Sequence, residues 1–244
     1  MSNPVPLHDQ LVLGKRKLKT IFGSLPSRTL RAGELLGGPG AGDAVYRLRA
    51  GWACQFRDLA NARRAIIDVY LPGDVIGLDG IAHARPLEEV LTLTAAIIET
   101  IPAEDTLVEL MADRSIALYI AFLLGLRQRC SDGLLAAISG LDARGRVATM
   151  LLDFYTRLRR RKLTSGSTYN LPLSQVQIGD YLGLTVVHIN RVLRSLRSER
   201  IVDLEKHCVT VLDLDRLVIM ARKGGTASSR AICDEHGLKE AAAE

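Results

Sequence analysis

The sequence predicts an α+β chain: an N-terminal β jelly roll, a long dimerisation helix and a C-terminal winged helix-turn-helix. Three observations predict it. Residues 28 to 102 break into short strand-like pieces between Gly- and Pro-containing turns. Residues 103 to 141 carry helical periodicity. The stretch Leu173 to Met220 reads as two capped helices joined at Gly183, followed by a hairpin. The expected divisions are residues 1–112 (the jelly roll with an N-terminal helical segment), 113–141 (the dimerisation helix), 142–221 (the winged helix) and 222–244 (a polar tail).

In the N-terminal part, turn signals fall at Gly33-Glu34, Gly37 to Gly42, Ala50-Gly51, Asp58 to Asn61 and Pro72-Gly73-Asp74. Between them lie Val45 to Arg49, Trp52 to Arg57, Ala65 to Tyr70 and Leu91 to Ile101. Short strands at regular spacing indicate a sandwich or jelly roll. Trp52 is expected in the core.

In the connecting helix, Ile116, Ile120, Leu123, Arg127, Cys130, Leu134, Ala137 and Leu141 recur in alternating steps of four and three. That is a coiled-coil seam with one polar interruption. A plain buried helix has the same periodicity, and Ile116 to Leu126 is apolar on other faces too, so part of it should also pack on the jelly roll. The expected dimer contacts are Ile116, Ile120, Leu123, Arg127, Cys130 and Leu134. A second helix, capped near Asp142, should bury Ala148, Leu151, Leu152 and Tyr155.

Ser174 can cap the next helix, with Gln177 three residues on completing a capping box and Leu173 and Ile178 forming a staple. Thr185 can cap the following helix, with Leu184 and Ile189 repeating the staple. Gly183 sits where the chain must turn sharply. On the second helix Ile189, Val192, Leu193 and Leu196 form an apolar stripe. Val187, Asn190, Arg191, Arg194 and Ser198 lie opposite. Arg can donate two bonds to guanine, Asn can pair with adenine and Val can touch a thymine methyl. Val187, Asn190, Arg191 and Arg194 are therefore the candidate base contacts, and Ser174, Thr185, His188 and Arg197 the candidate contacts to DNA backbone. An ordinary solvated helix face would have a similar composition, but the doubled capping signals and the hairpin that follows favour the reader. That hairpin runs Ile201 to Leu204, then Glu205-Lys206-His207, then Cys208 to Leu212, with alternating apolar residues.

The chain of 244 residues has a net charge of +5. Residues 1–141 hold 15 Lys+Arg and 15 Asp+Glu, whereas residues 142–223 hold 15 and 8. The excess lies where phosphate contacts would need it. Arg157, Arg159, Arg160, Arg161 and Lys162 either touch DNA backbone or stabilise a helix C-terminus. Cys54, Cys130, Cys208 and Cys233 are far apart, which argues against a zinc knuckle and a disulfide scaffold. Cys130 and Cys208 are expected to pack, although either could act as a redox switch. No apolar run reaches the length of a membrane span and no signal-peptide pattern is present. A cytoplasmic protein without a membrane partner is expected.

Arg31-Ala32-Gly33-Glu34, Gly42-Asp43, Tyr46 to Gly51, Arg63-Arg64-Ala65-Ile66 and Leu71-Pro72-Gly73-Asp74-Val75-Ile76-Gly77 follow the strand-and-turn order of cyclic-nucleotide-binding-type domains. With the C-terminal motif, residues 25 to 220 resemble a bacterial transcription regulator of the Crp/Fnr family. The resemblance implies a jelly-roll sensor, a dimerisation helix and a winged helix that binds double-stranded DNA at a palindromic site as a homodimer. RNA polymerase would be a further partner if the protein activates. Arg191 matches the base-reading Arg of that family.

The departures are specific. Relatives that bind cyclic AMP have a Glu after the Gly matched by Gly77, and downstream an Arg followed by Ser or Thr; here stand Leu78 and Pro86-Leu87-Glu88-Glu89. An anionic phosphate beside two Glu, with Arg85 as the only nearby cation, is poorly stabilised, so a cyclic nucleotide is disfavoured. Before Cys54 there is no cysteine cluster, so an iron–sulfur cluster is disfavoured. His83 leaves haem open, although a His in a polar loop is more often a surface residue. Where the best-known members carry a Glu that accepts a bond from cytosine, this chain has Val187.

The leading expectation is a DNA-binding transcription regulator, not an enzyme. No nucleophile–base pair, metal spacing or phosphate loop is present. The alternative is a small-ligand-binding module that regulates a protein partner without specific DNA binding.

Overall fold

The computed structural model describes residues 6–37, 44–60, 64–78, 89–102 and 110–222. His83, Arg85, Pro86, Leu87 and Glu88 lie outside the described residues, as do Cys233 and the expected polar tail from residue 223 on. The chain divides into two compact units, one ending at Arg129 and one beginning at Cys130.

The first unit opens with helix α1 (Leu7–Ser24). Among the described residues eight strands follow: β1 (Ser27–Leu30), β2 (Leu35–Gly37), β3 (Ala44–Ala50), β4 (Ala53–Asp58), β5 (Arg64–Tyr70), β6 (Val75–Ile76), β7 (Val90–Thr92) and β8 (Ala96–Pro102). They form two four-stranded antiparallel sheets, ordered β1-β8-β3-β6 and β2-β7-β4-β5. Two facing sheets bury the inward residues of both. Leu30, Leu48, Ile76 and Ile98 from one sheet meet Leu36, Ala53, Tyr70 and Val90 from the other. The expected jelly roll is present, with Trp52 buried.

One expectation is corrected here. Leu91 to Ile101 reads as one strand, but it divides between the sheets. Leu93 N and Thr94 N donate to the Trp52 carbonyl, and Trp52 N donates to Thr94 Oγ1 at 3.0 Å. These bonds turn the chain at residues 93–95, a break that alternation of apolar residues does not reveal.

Helix α2 (Arg114–Gly140) begins in the first unit and runs into the second. Asp113 caps it, accepting from Ser115 N at 2.9 Å and Ile116 N at 3.2 Å, while Lys17 of α1 donates to the same carboxylate at 2.5 Å. These bonds hold the Asp113 carboxyl well below the ordinary carboxylate range. A second apolar cluster joins Leu18 and Phe22 of α1 to Val45, Ile101, Ile116 and Ile120, with Leu123 packed against it. No helix among the described residues is long and apolar enough to cross a membrane.

The second unit contains α3 (Ala143–Arg160), β9 (Thr168–Asn170), α4 (Gln175–Leu182), α5 (Val186–Ser198), β10 (Val202–Glu205), β11 (Cys208–Val211) and α6 (Leu214–Arg222). The strands form one antiparallel sheet ordered β10-β11-β9. Asp142 caps α3, accepting from Gly145 N at 2.8 Å. Ala148, Leu151, Leu152 and Tyr155 are buried as expected. Strand β9 is too short to register in sequence patterning and exists through its pairing with β11.

Candidate nucleic-acid interface

The reader is built from its caps inward. Ser174 Oγ accepts from Gln177 N at 3.2 Å, and the Gln177 amide oxygen accepts from Ser174 N at 2.8 Å, so the capping box is complete. Helix α4 stops at Gly183, whose φ of 66° and ψ of 34° lie in the left-handed region that glycine adopts without strain. Two residues later Thr185 caps α5, accepting from His188 N at 3.3 Å.

The turn between the helices is closed by Gly179. Its carbonyl accepts from Gly183 N and from Leu184 N. A Cβ at this position would stand 2.6 Å from the Leu184 carbonyl oxygen. Contact that close requires the absence of a side chain. Beneath the turn, Ile178, Leu182, Ile189, Val192 and Leu196 are buried, and Tyr181 stacks on Phe154 of α3 with ring centroids 6.1 Å apart.

The opposite face of α5 is open. Val187, His188, Arg191 and Arg194 are exposed, and Asn190 is half-buried. Neither Arg191 nor Arg194 makes an ion pair among the described residues. Two guanidinium forks, an amide and an apolar side chain thus stand along one helix face, the groups suited to base edges in the major groove.

Arg197, expected at the DNA backbone, makes bonds within the unit. Its Nε donates to Asp203 of β10 at 2.7 Å and its Nη2 to the Leu204 carbonyl. It fastens the end of α5 to the hairpin, a pairing six positions away that helical periodicity does not disclose. The hairpin closes through Lys206 and His207, with φ of 45° and 66°, between the paired Glu205 and Cys208. Both central residues at positive φ make the two-residue turn whose twist matches antiparallel strands.

A second fastening has no signal in the sequence pattern. Glu199, just past α5, accepts from Arg144 of α3 at 2.9 Å, from Ser195 at 2.8 Å and from Arg216 of α6 at 3.1 Å. These donors lower the Glu199 carboxyl to about 2. Three helices thereby meet on one carboxylate at the base of the reader. Of the basic cluster on α3, Arg157 pairs with Asp153 at 3.3 Å, and Arg159 lies over the Tyr155 ring at 5.9 Å.

The residues expected at the dimer seam divide into two groups. Ile116 and Ile120 are buried within the first unit, and Leu123 packs against the same cluster. Arg127 pairs with Asp68 at 3.1 Å. Ile116 and Ile120 thus serve this unit's own core, because a helix with apolar residues on several faces turns one of them towards the sheet. Cys130 is exposed and Leu134 half-buried. Cys130 and Cys208, expected to pack, are both exposed, whereas Cys54 is buried and its thiol is pushed up to about 11 by burial. Among the described residues no group of three or more His, Cys, Asp or Glu gathers as a metal site.

Comparison with known proteins agrees with this geometry. The profile of a Crp-like helix-turn-helix domain matches residues 145–219. The chain is 27% identical over 196 residues to the transcriptional activator protein Anr of Pseudomonas protegens, covering 80% of each. It is 29% identical over 163 residues to the nitrogen fixation regulation protein FixK of Rhizobium meliloti, covering 66% of this chain and 70% of FixK. The structure of FixK2 from Bradyrhizobium japonicum has the same fold, with a TM-score of 0.71, 24% identity, and coverage of 82% of this chain and 99% of that one.

Proposed function

We propose that the chain is a DNA-binding transcription regulator of the Crp/Fnr family, as its Crp-like helix-turn-helix domain and its likeness to Anr and FixK support, and that it acts as a homodimer on a palindromic promoter site, in the cytoplasm, without catalysing a reaction. The observation that carries this reading is the open face of α5. Arg191 and Arg194 are exposed and make no ion pair among the described residues, on a helix held by two caps and a glycine-closed turn. A single reader of this kind covers a half-site, so two must be held about one helical turn of DNA apart. Val187, Asn190, Arg191 and Arg194 are assigned to bases. Ser174, Thr185 and His188 are assigned to phosphates at the two helix N-termini, where backbone N–H groups and the helix dipole favour anions.

The dimer seam is assigned one residue along from the sequence expectation. Ala121, Leu124, Gln128, Ser131 and Leu135 follow the same four-and-three spacing and are exposed on α2. If the protein activates transcription, RNA polymerase is the further partner. The test is fluorescence anisotropy with duplexes selected from a random pool, at stated salt, alongside sedimentation of wild type and Leu124→Glu. Discrimination between selected and random duplex by a dimer, and dissociation of the variant, are expected. A monomer, or equal affinity for both duplexes, overturns the reading.

A further inference from the structure

The core-facing side of the β4–β5 pair carries a polar cluster. The register of β4 and β5 sets Gln55 opposite Asp68 and Ala53 opposite Tyr70. Side chains two apart on a strand share a face, so Gln55, Asp68 and Tyr70 stand together on the side that Ala53 and Tyr70 contribute to the core. The register shifts between Gln55 and Phe56, leaving Ile67 as the extra residue. That bulge lets Asp68 share a face with Gln55 while Ile66 stays opposite Phe56.

Into this cluster α2 inserts Arg127. Its Nε lies 3.1 Å from Asp68 Oδ2. Its Nη2 donates to Gln55 Oε1 and to the Tyr70 hydroxyl, each at 2.5 Å. The Tyr70 hydroxyl in turn donates to Gln55 Oε1 at 2.8 Å. The guanidinium carbon is 5.0 Å from the Tyr70 ring centroid, within the range of a cation–π contact. Asp68 Oδ1 is held by Val69 N at 2.7 Å, which fixes the carboxylate. Gln55 and Tyr70 are both buried. One anionic oxygen, two neutral oxygens and an aromatic face thus converge on a planar, forked cation. A lysine would offer one compact charge without the planar fork that sets Nε on the carboxylate and Nη2 on the two neutral oxygens.

We propose that Gln55, Asp68 and Tyr70 form a guanidinium-binding site that the chain fills with its own Arg127, and that this occupancy latches α2 to the sensor sheet. Arg127 lies two residues before the end of the sensor unit at Arg129, on a helix that continues to Gly140. Its loss would detach this turn of α2 from the β4–β5 pair. A ligand competing for the site would carry a guanidinium or amidinium group. The consequence for DNA affinity rests on the functional reading above; the latch does not.

The test is hydrogen exchange and thermal unfolding of the full-length protein, comparing wild type, Arg127→Ala, Arg127→Lys and Asp68→Asn, each with and without millimolar methylguanidinium or methylammonium. Exchange of the α2 amides around residues 121–131 should rise by about tenfold in all three variants, as expected when a local anchor is lost. Methylguanidinium should raise the thermal midpoint of Arg127→Ala but not that of Asp68→Asn, because it refills the site without tethering α2, and methylammonium should raise neither. Unchanged protection in both Arg127→Lys and Asp68→Asn overturns the latch. Rescue by methylammonium as effective as by methylguanidinium overturns the ligand class. DNA affinity of the same variants is measured in parallel. A wild type that does not discriminate between duplexes overturns the functional reading alone, since exchange reports the latch without DNA.

Discussion

Gly179 and Leu184 approach so closely that a side chain between them has no room: a Cβ on Gly179 would lie 2.6 Å from the Leu184 carbonyl oxygen. The same two residues are joined by a backbone hydrogen bond of 3.0 Å, so neither can retreat without losing the turn. Gly179→Ala should destabilise the winged unit by about 1–3 kcal/mol, the usual range for forced overpacking. Gly183→Ala, which only meets the left-handed backbone, should cost about 1–2 kcal/mol. Urea unfolding of both variants checks the order, and equal stability of wild type and Gly179→Ala would show that the turn relaxes.

Ser174→Ala should lower stability by about 1 kcal/mol through loss of the capping box. If Ser174 also meets a phosphate, affinity should fall alike on every duplex. Loss of affinity confined to selected duplexes would instead place Ser174 among the base contacts.

Arg191→Ala should remove about 1–3 kcal/mol of discrimination at one base pair of each half-site. Selection of binding sites by the variant checks this, and an unchanged consensus rejects the assignment.

Asp203→Asn should loosen Arg197 from the hairpin. The exposed pair contributes little to stability, about 0.2–1 kcal/mol. The freed guanidinium would then be available to a phosphate, steepening the salt dependence of DNA binding by roughly one ion. A slope identical to wild type would mean that Arg197 remains with the hairpin through its bond to the Leu204 carbonyl.

Glu199 carries a pH dependence whose sign follows from its neighbours. Arg144, Ser195 and Arg216 lower its carboxyl from the ordinary 4.5 to about 2 in the folded chain. A depressed carboxylate contributes stability that is fully present above the unfolded value and is lost as pH falls towards the folded one. Glu199→Gln should therefore flatten the acid limb of the stability curve between about pH 4.5 and 2, and leave its shape near neutrality unchanged. Acid titration of denaturation midpoints tests this, and identical acid limbs would remove Glu199 from the linkage.

Much of the reader was legible in the sequence because it is made of local interactions. The Ser174–Gln177 box, the Thr185 cap and the Gly183 stop each involve residues a few positions apart, and the apolar stripe of α5 repeats within two turns. The jelly-roll strands were legible for the same reason, and their misreadings are instructive. The joined strand at Leu91 to Ile101 divides because Trp52 binds residues 93 and 94. β9 escaped notice because three residues carry no period of their own.

What the sequence by itself determined is the order of the elements, the capped reader with Arg191 and Arg194 on one face, and the concentration of positive charge around it. Only the tertiary structure decided which face of α2 turns inward, that Arg127 meets the β4–β5 pair and that Arg197 and Glu199 bond across elements. The physical reason is range. Arg127 meets Gln55 and Tyr70 across 72 and 57 positions of chain, and a helix with several apolar faces has the same periodicity whether it packs on its own sheet or on a second copy. Its sequence pattern does not say which face meets the sheet; the packing of Ile116 and Ile120 against Phe22, Val45 and Ile101 does.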